Sequence, residues 1–429
     1  MNTIGVVGLG YVGLTLAVTL ARKGFTVHGV DTSPAVLDAL GKGRPHLFEP
    51  GVEEGVRAFL GDRLHVAAEL PRDGIDAAII CVSTPVGADH APELGNLRAA
   101  ARHVAERSGP RTLVIVRSTV PVGASRAVVL PELAARWSRP RLAFAPERTI
   151  QGQALRELEE LPQVVGGFDA NSTQAASELF ARVTRRVVPV SSLEAAELVK
   201  LVNNCHTDLI YSYGNEVALI AESWRLDPLE VIRAANLEYP RPDLARPGFV
   251  GGACLSKDPY ILVSAARAAG YTPWLVGQAR GLNERLPAHV AERLLDLIRR
   301  ARGRAEGARL SVLGWAYKGW PPTDDMRGTP VVSMLPLFRA AGLVLRGHDY
   351  LVAPEVIRGL GAEPVSPEEA FDGADAVLVI TNHPEYAKLD LGALLPKLRR
   401  PAVLYDCWRI LDEEAARAAG VSYAGIGYA

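Results

Sequence analysis

Short apolar runs rich in valine and isoleucine alternate with longer segments of helical period through the first 190 residues. The runs are Thr3–Gly8, Thr26–Asp31, Asp76–Val82, Thr112–Ser118, Leu142–Pro146 and, more weakly, Gln163–Gly167 and Arg186–Val190. Continuous apolar strands separated by helices predict a parallel sheet covered on both faces. From about Leu193 the texture changes. Leu193–Ala221 has no proline and Gly214 as its one glycine, which predicts a single long helix, with more helix at Pro228–Ala235. The next stretch, Tyr239–Tyr260, is dense in proline and glycine and predicts a shaped loop, a kind of segment that more often carries function than packing. From Gly303 the first texture returns, with strands predicted at Arg309–Gly314, Leu343–Gly347, Ala376–Thr381 and Ala402–Asp406.

Composition narrows this picture without changing it. The chain has 429 residues, 48% hydrophobic and 22% charged, with 47 Lys plus Arg against 48 Asp plus Glu. That balance supplies no bulk field for nucleic acid or an anionic membrane surface. No apolar run reaches the roughly 18 residues that cross a bilayer. Met1–Gly24 is apolar but has no basic residue before Arg22, the reverse of a signal peptide, and is read as part of the fold. The four cysteines lie far apart, with no CxxC pair and no zinc-type histidine spacing, which predicts reduced thiols, no metal and a cytoplasmic enzyme.

The strongest local signal is Gly8-Leu-Gly10-Tyr11-Val12-Gly13, placed between the first strand and a helix. The first glycine permits the tight turn, the second lets backbone amides approach a pyrophosphate, and the third lets helix and strand pack closely. Asp31 ends the second strand 18 residues after Gly13, where a carboxylate takes ribose hydroxyls and repels a 2′-phosphate. This predicts NAD over NADP. Fold class is therefore α/β, with two Rossmann-like doubly wound α/β domains joined by a long central helix and a small helical domain. Thr84 and Thr119 each follow a strand at the edge where such sheets bind ligands, and each reads equally as a helix cap.

Cys254 stands in Gly251-Gly252-Ala-Cys254-Leu-Ser-Lys257-Asp258, where glycines bring backbone close to a ligand and a thiol is followed by a cation and a base. A nearby cation favours the thiolate, the reactive form, and this context favours a nucleophile over a small buried hydrophobe. Cys81, Cys205 and Cys407 read as structural. Lys200 and Asn204 share a helix face, either to hold an oxyanion or water, or as a solvated lysine near a capping asparagine. Glu147, in Pro146-Glu147-Arg148, reads as an ion-pair partner or as a catalytic acid/base. Tyr317-Lys318 and Asp324-Asp325-Met-Arg327 either cradle a second phosphate-bearing ligand or pair with each other.

Taken together, these motifs resemble the UDP-glucose/GDP-mannose dehydrogenase family, the nucleotide-sugar 6-dehydrogenases. The likeness runs from the glycine turn through Glu49-Pro50-Gly51, Ser118-Thr-Val-Pro-Val-Gly123, Pro146-Glu-Arg148, Lys200-Leu-Val-Asn-Asn204 and the Cys254 loop to Tyr317-Lys318 and Arg327. It implies an NAD-binding domain over 1–192, a central helical dimerisation domain carrying the cysteine loop over 193–302, and a UDP-binding domain over 303–429. It also implies four-electron oxidation of a sugar C6 alcohol to a carboxylate through a Cys254 thiohemiacetal and thioester. By the resemblance, Lys200 and Asn204 stabilise oxyanions, Asp258 positions or activates water, and Thr119 and Glu147 assist proton transfer and hydrolysis. The cofactor set is Gly8, Gly10, Tyr11, Val12, Gly13, Asp31, Thr84, Thr119 and Arg327. The substrate set is Glu147, Arg148, Lys200, Asn204, Arg241, Gly251, Lys318 and Arg409, with Arg327 also at the nucleotide sugar. The long helix is expected to form a homodimer, with Arg241 or Arg246 reaching the partner's site.

The sequence after Glu147, Arg148-Thr-Ile-Gln-Gly-Gln, is similar to the branch acting on UDP-N-acetylhexosamines, notably UDP-N-acetylmannosamine or UDP-N-acetylglucosamine. Trp315 and Tyr317, bulkier or more polar than the commoner family residues, are expected to reshape the sugar pocket. UDP-glucose is the alternative within the family. Outside it stand a two-electron hydroxy-acid dehydrogenase, which needs no thiol, and a non-catalytic NAD-binding regulator, which would dispense with the cysteine, lysine or aspartate present here.

Overall fold

The computed structural model describes residues 1–238 and 244–429. Two compact units emerge, Met1–Asn204 with Lys257–Pro273, and Cys205–Ser256 with Trp274–Ala429.

The first unit is built on eight strands: β1 (Thr3–Val7), β2 (Thr26–Val30), β3 (Leu64–Ala67), β4 (Ala77–Ile80), β5 (Leu113–Val116), β6 (Arg141–Phe144), β7 (Gln163–Gly167) and β8 (Val187–Val190). Their order is β3-β2-β1-β4-β5-β6-β7-β8, parallel throughout except for the β6–β7 pair. The strands read as unbroken apolar runs because both faces are covered. Ile4, Ile79 and Ile115 enter one core, while Ala78, Ile80, Val114 and Val116 enter the other. The periodicity did not predict β3. It is an edge strand with one residue fully covered, so it needs little apolar sequence. Strand order reverses between β1 and β4, which opens the crevice where doubly wound sheets receive ligands.

The long helix Leu193–Trp224 is continuous, as its proline-free sequence predicts, and the division between units falls within it, after Asn204. In the second unit a further helix, Leu275–Arg302, runs through an internal Pro287. That proline conceals the helix from periodicity, since it removes one hydrogen bond from the ladder. Gly303, at φ +80°, ends it in the left-handed conformation that favours glycine. Six strands follow: β9 (Arg309–Leu313), β10 (Val344–His348), β11 (Glu363–Pro364), β12 (Ala376–Val379), β13 (Val403–Asp406) and β14 (Ser422–Ala424). They form an all-parallel sheet in the order β11-β10-β9-β12-β13-β14.

One expectation is corrected by this core. Trp315 is fully buried, its indole N–H donates to the Val312 carbonyl at 3.1 Å, and its ring lies where a side chain on Gly347 would stand. It packs the second sheet and cannot shape a sugar pocket directly. No helix among the described residues is long and apolar enough to cross a membrane.

Candidate active site

At the end of β1 the chain turns through Gly8 at φ +92°, where a Cβ would stand 2.9 Å from the Cys81 carbonyl oxygen. A Cβ on Gly13 would strike the Gly8 carbonyl oxygen, so helix and strand meet at these two glycines. Gly10 differs: a Cβ there would meet nothing within 4 Å. The fold itself does not require that glycine, and the open space lies at the start of helix Tyr11–Arg22, which has no side-chain cap and no acid in its first turn. Uncapped amides facing open space fit an NAD pyrophosphate. Asp31 is fixed beside them, its Oδ2 accepting from the Leu9 amide at 2.8 Å and its Oδ1 from the Ser33 amide at 2.9 Å.

The Tyr11 side chain has a different task from its backbone. Its hydroxyl donates to Glu49, which also accepts from the amides of Gly152 at 2.6 Å and Ala154 at 2.7 Å. Burial and the Glu49 carboxylate raise the phenol well above its ordinary range. Glu49 thus ties the dinucleotide turn to the loop that follows Glu147, a role that sequence spacing did not reveal. Thr84 and Thr119 are brought together, the Thr84 hydroxyl donating to the Thr119 carbonyl at 2.5 Å.

Glu147 is buried, its Oε2 accepting from Arg117 at 2.6 Å and its Oε1 from the Thr149 amide at 2.6 Å. Burial alone would raise this carboxyl, but Arg117, the Thr149 amide and Lys200 outweigh it and hold it below the ordinary carboxylate range. Of the two readings left open for Glu147, the geometry supplies the ion pair. Arg117 also donates to the Ala145 carbonyl and to Gln163. It was passed over in the sequence, where the signal was a lone arginine ending an apolar strand.

Lys200 is itself buried, on the helix turn before Asn204, and its charge reaches Glu147. The Asn204 amide donates to Asp258 Oδ2, and Lys257 donates to Asp258 Oδ1 at 3.0 Å. Asp258 is wholly buried and holds both donors at the start of helix Asp258–Ala268. Arg148 is half-buried and donates to the Pro162 carbonyl.

In the second unit Cys254 lies in the short helix Gly252–Leu255 and is the one exposed cysteine of the four. The others are buried, and burial pushes the Cys81 thiol up to about 12. Before Cys254 the backbone is pressed close to its neighbours. A Cβ on Gly251 would strike the Gly328 carbonyl, and one on Gly252 would stand 2.6 Å from the Tyr317 ring. Burial keeps the Tyr317 phenol protonated well above its ordinary range, and both Tyr317 and Arg327 lie within electrostatic reach of Cys254. Arg327 forks onto Asp325 with its side chain largely exposed, and the Lys318 ammonium lies 5.5 Å from the Tyr317 ring centroid.

One arginine of the substrate set is already engaged elsewhere. Arg409 is committed to Asp227 and to Glu413 and lies over the Tyr428 ring at 4.0 Å, an internal cluster and not an open anion site. Arg246 donates to the Trp408 carbonyl at 3.1 Å, and Arg241 lies outside the described residues. Among the described residues no group of three or more metal-binding side chains is assembled.

Models of the UDP-glucose/GDP-mannose dehydrogenase family match this chain in three stretches: the NAD binding domain over residues 2–184, the central domain over 194–285 and the UDP binding domain over 311–413. The chain is 32% identical to UDP-N-acetyl-D-mannosamine dehydrogenase of Pyrococcus horikoshii, with 99% of each chain covered. It is 31% identical to NDP-N-acetyl-D-galactosaminuronic acid dehydrogenase of Ralstonia nicotianae, covering 92% of this chain and 93% of the relative. Among solved structures, UDP-D-ManNAc dehydrogenase from Pyrococcus horikoshii superposes with a TM-score of 0.89 at 31% identity, over 99% of both chains. A UDP-glucose dehydrogenase from Pyrobaculum islandicum gives 0.86 at 28% identity, over 100% of this chain and 98% of that one.

Two predictions follow from the first unit. Replacing Asp31 with alanine weakens NAD binding by about 1–3 kcal/mol, the value of a hydrogen bond to a charged group. It also narrows the gap to NADP, and parallel titrations with the two cofactors check this; an unchanged preference would show that the ribose is read elsewhere. Because Glu147 is held below its unfolded range, it adds stability above ordinary carboxylate pH that is lost as pH falls through its folded value. Arg117→Met strands this buried carboxylate and is expected to lower urea stability at neutral pH by about 3–5 kcal/mol. Adding Glu147→Gln should restore part of that loss, and no recovery would contradict the pairing.

Proposed function

The chain belongs to the UDP-glucose/GDP-mannose dehydrogenase family, whose members are NAD-dependent nucleotide-sugar oxidoreductases, and from that premise we propose that it oxidises C6 of a UDP-2-acetamido sugar, foremost UDP-N-acetylmannosamine, to the uronate. The observation that carries the reading is the exposed Cys254 thiol beside Tyr317 and Arg327, on a backbone drawn in by Gly251 and Gly252. The relatives named for acetamido-sugar substrates, and the Arg148-Thr-Ile-Gln run after Glu147, support the sugar class. UDP-glucose is the second reading, favoured by the likeness to the Pyrobaculum islandicum enzyme.

The glycine turn, the amides of Tyr11, Val12 and Gly13, and Asp31 would hold NAD, which would supply the hydride acceptor for both oxidations. At the aldehyde stage the Cys254 thiolate adds to C6, forming a carbon–sulfur bond and an oxyanion. Lys200 and Asn204 donate to that oxyanion, which costs little reorganisation because Asp258 already fixes Asn204. After the second oxidation C6 is a thioester. Water adds to it, the carbon–sulfur bond breaks, and carboxylate and thiol are released, one of the water's protons ending on the sulfur and the other passing to solvent. Asp258 positions the groups that orient this water. Glu147, ionised by its pairing with Arg117, acts as an acceptor and not as a proton donor at neutral pH. Lys318 and Arg327 contact the nucleotide, while Arg409 is left out because its guanidinium is already committed.

In this reading 1–192 serves NAD, 193–302 carries the thiol and the dimer, and 303–429 serves UDP, in the cytoplasm where both soluble substrates are supplied. The homodimer rests on an exposed apolar stripe of the long helix, Leu198, Val202, Ile210, Tyr213, Ile220 and Trp224, recurring at helical spacing. A second copy of the same helix is the self-complementary way to cover it.

Replacing Cys254 with serine is expected to stop the reaction after the first oxidation, so that NADH yield per sugar falls from two to at most one. Near-normal uronate formation by that variant would sink Cys254 as the nucleophile.

A further inference from the structure

The loop that presents Cys254 is held from behind by a buried polar network in the second unit. Arg280, on helix Leu275–Arg302, is 2% exposed, and its guanidinium donates to the Leu255 carbonyl at 3.0 Å and the Val250 carbonyl at 3.2 Å. These two carbonyls bracket residues 251–254, so one rigid fork spans the segment that carries the thiol. Arg280 is fixed in turn by Asp208 of the long helix at 2.7 Å. Asn283, one turn further along, donates to Asp208 Oδ1 at 3.0 Å and accepts from Asn215 at 3.0 Å. Asn215 Oδ1 then accepts from the Gly248 amide at 2.8 Å, which pins the loop at a third point.

Asp208, Asn215, Arg280 and Asn283 are all essentially without solvent contact. An ion pair so deeply buried is a poor source of net stability, because desolvation offsets its attraction. Burial in fact leaves Asp208 above its ordinary carboxylate range despite the guanidinium beside it. A planar fork with fixed donors is, however, well suited to holding two carbonyls at a set distance. We propose that Arg280, set by Asp208 and Asn283, is a positioning residue that holds the Cys254 loop in the geometry needed for thiol attack on the sugar aldehyde. The inference rests on the reading of Cys254 as nucleophile. It assigns Arg280 to the thiol-dependent half of the reaction and leaves the first oxidation, which needs no carbon–sulfur bond, largely untouched.

The test compares full-length wild type, Arg280→Lys, the charge-balanced double variant Asp208→Asn with Arg280→Gln, and Cys254→Ser. Each is mixed rapidly with excess NAD and limiting UDP-N-acetylmannosamine while NADH is followed. With the clamp loosened, the first NADH should form within about threefold of the wild-type rate and the second about a hundredfold more slowly, the scale of a 1 Å misplacement. Hydrogen exchange on the substrate-free proteins should show amides of residues 251–256 opening about tenfold faster, with both sheets unchanged. Should Arg280→Lys fail to fold, the charge-balanced double variant carries the same comparison. Equal slowing of both NADH phases, or a normal second phase in a folded variant, would overturn the positioning role. If Cys254→Ser still yields two NADH, the nucleophile reading fails instead. If it stops at one while the Arg280 variants proceed normally, that reading stands and the present inference falls.

Discussion

A parallel strand buried on both faces has no room for polar side chains along its length, so polar chemistry must emerge where the strand ends. That constraint organises the first unit. Gly8 follows β1, Asp31 follows β2, Cys81 to Thr84 follow β4, Arg117 to Thr119 follow β5, and Pro146-Glu147 follow β6. Each strand is anchored by aliphatic side chains in two cores, which makes the edge rigid enough to hold the polar groups that follow it in place. The reversal of strand order between β1 and β4 then determines where along that edge a dinucleotide fits.

Rigidity at the edge comes with buried charge. Glu147 with Arg117, and Asp208 with Arg280, are ion pairs that a core designed for stability alone would replace with apolar side chains. Each instead fixes a loop. The first fixes the turn after β6 through the Ala145 carbonyl and the Thr149 amide, and the second fixes the cysteine loop through the Val250 and Leu255 carbonyls. Glu49 does similar work without a cation, accepting from Tyr11, Gly152 and Ala154. In all three cases a buried polar group with fixed hydrogen bonds orients backbone that apolar packing could hold only loosely.

The features legible in the sequence were those written in consecutive residues. The glycine turn, Asp31, the strand runs, the long helix and the Cys254 context all have local spacing rules, and the family resemblance added Lys200, Asn204 and Asp258. What escaped was written across distance. Arg117 meets Glu147 from 30 residues away and Arg280 meets Asp208 from 72, and neither carries a local signature. Glu49 belonged to a recognised motif, but its partners at Tyr11 and Gly152 come together only through folding. Trp315 misled for a related reason: a large aromatic next to a functional motif reads as pocket lining, while its burial is decided by Gly347 on a neighbouring strand.

The central claim is that one site carries a nucleotide sugar through four electrons. Anaerobic NADH yield from the wild-type chain, with UDP-N-acetylmannosamine, UDP-N-acetylglucosamine, UDP-glucose and GDP-mannose each supplied as the limiting reagent and product mass recorded, tests it most directly. Two NADH per sugar and a uronate mass from a UDP-2-acetamido sugar are the predicted result. One NADH with an aldehyde or ketone product, or no turnover of any of the four, would contradict it.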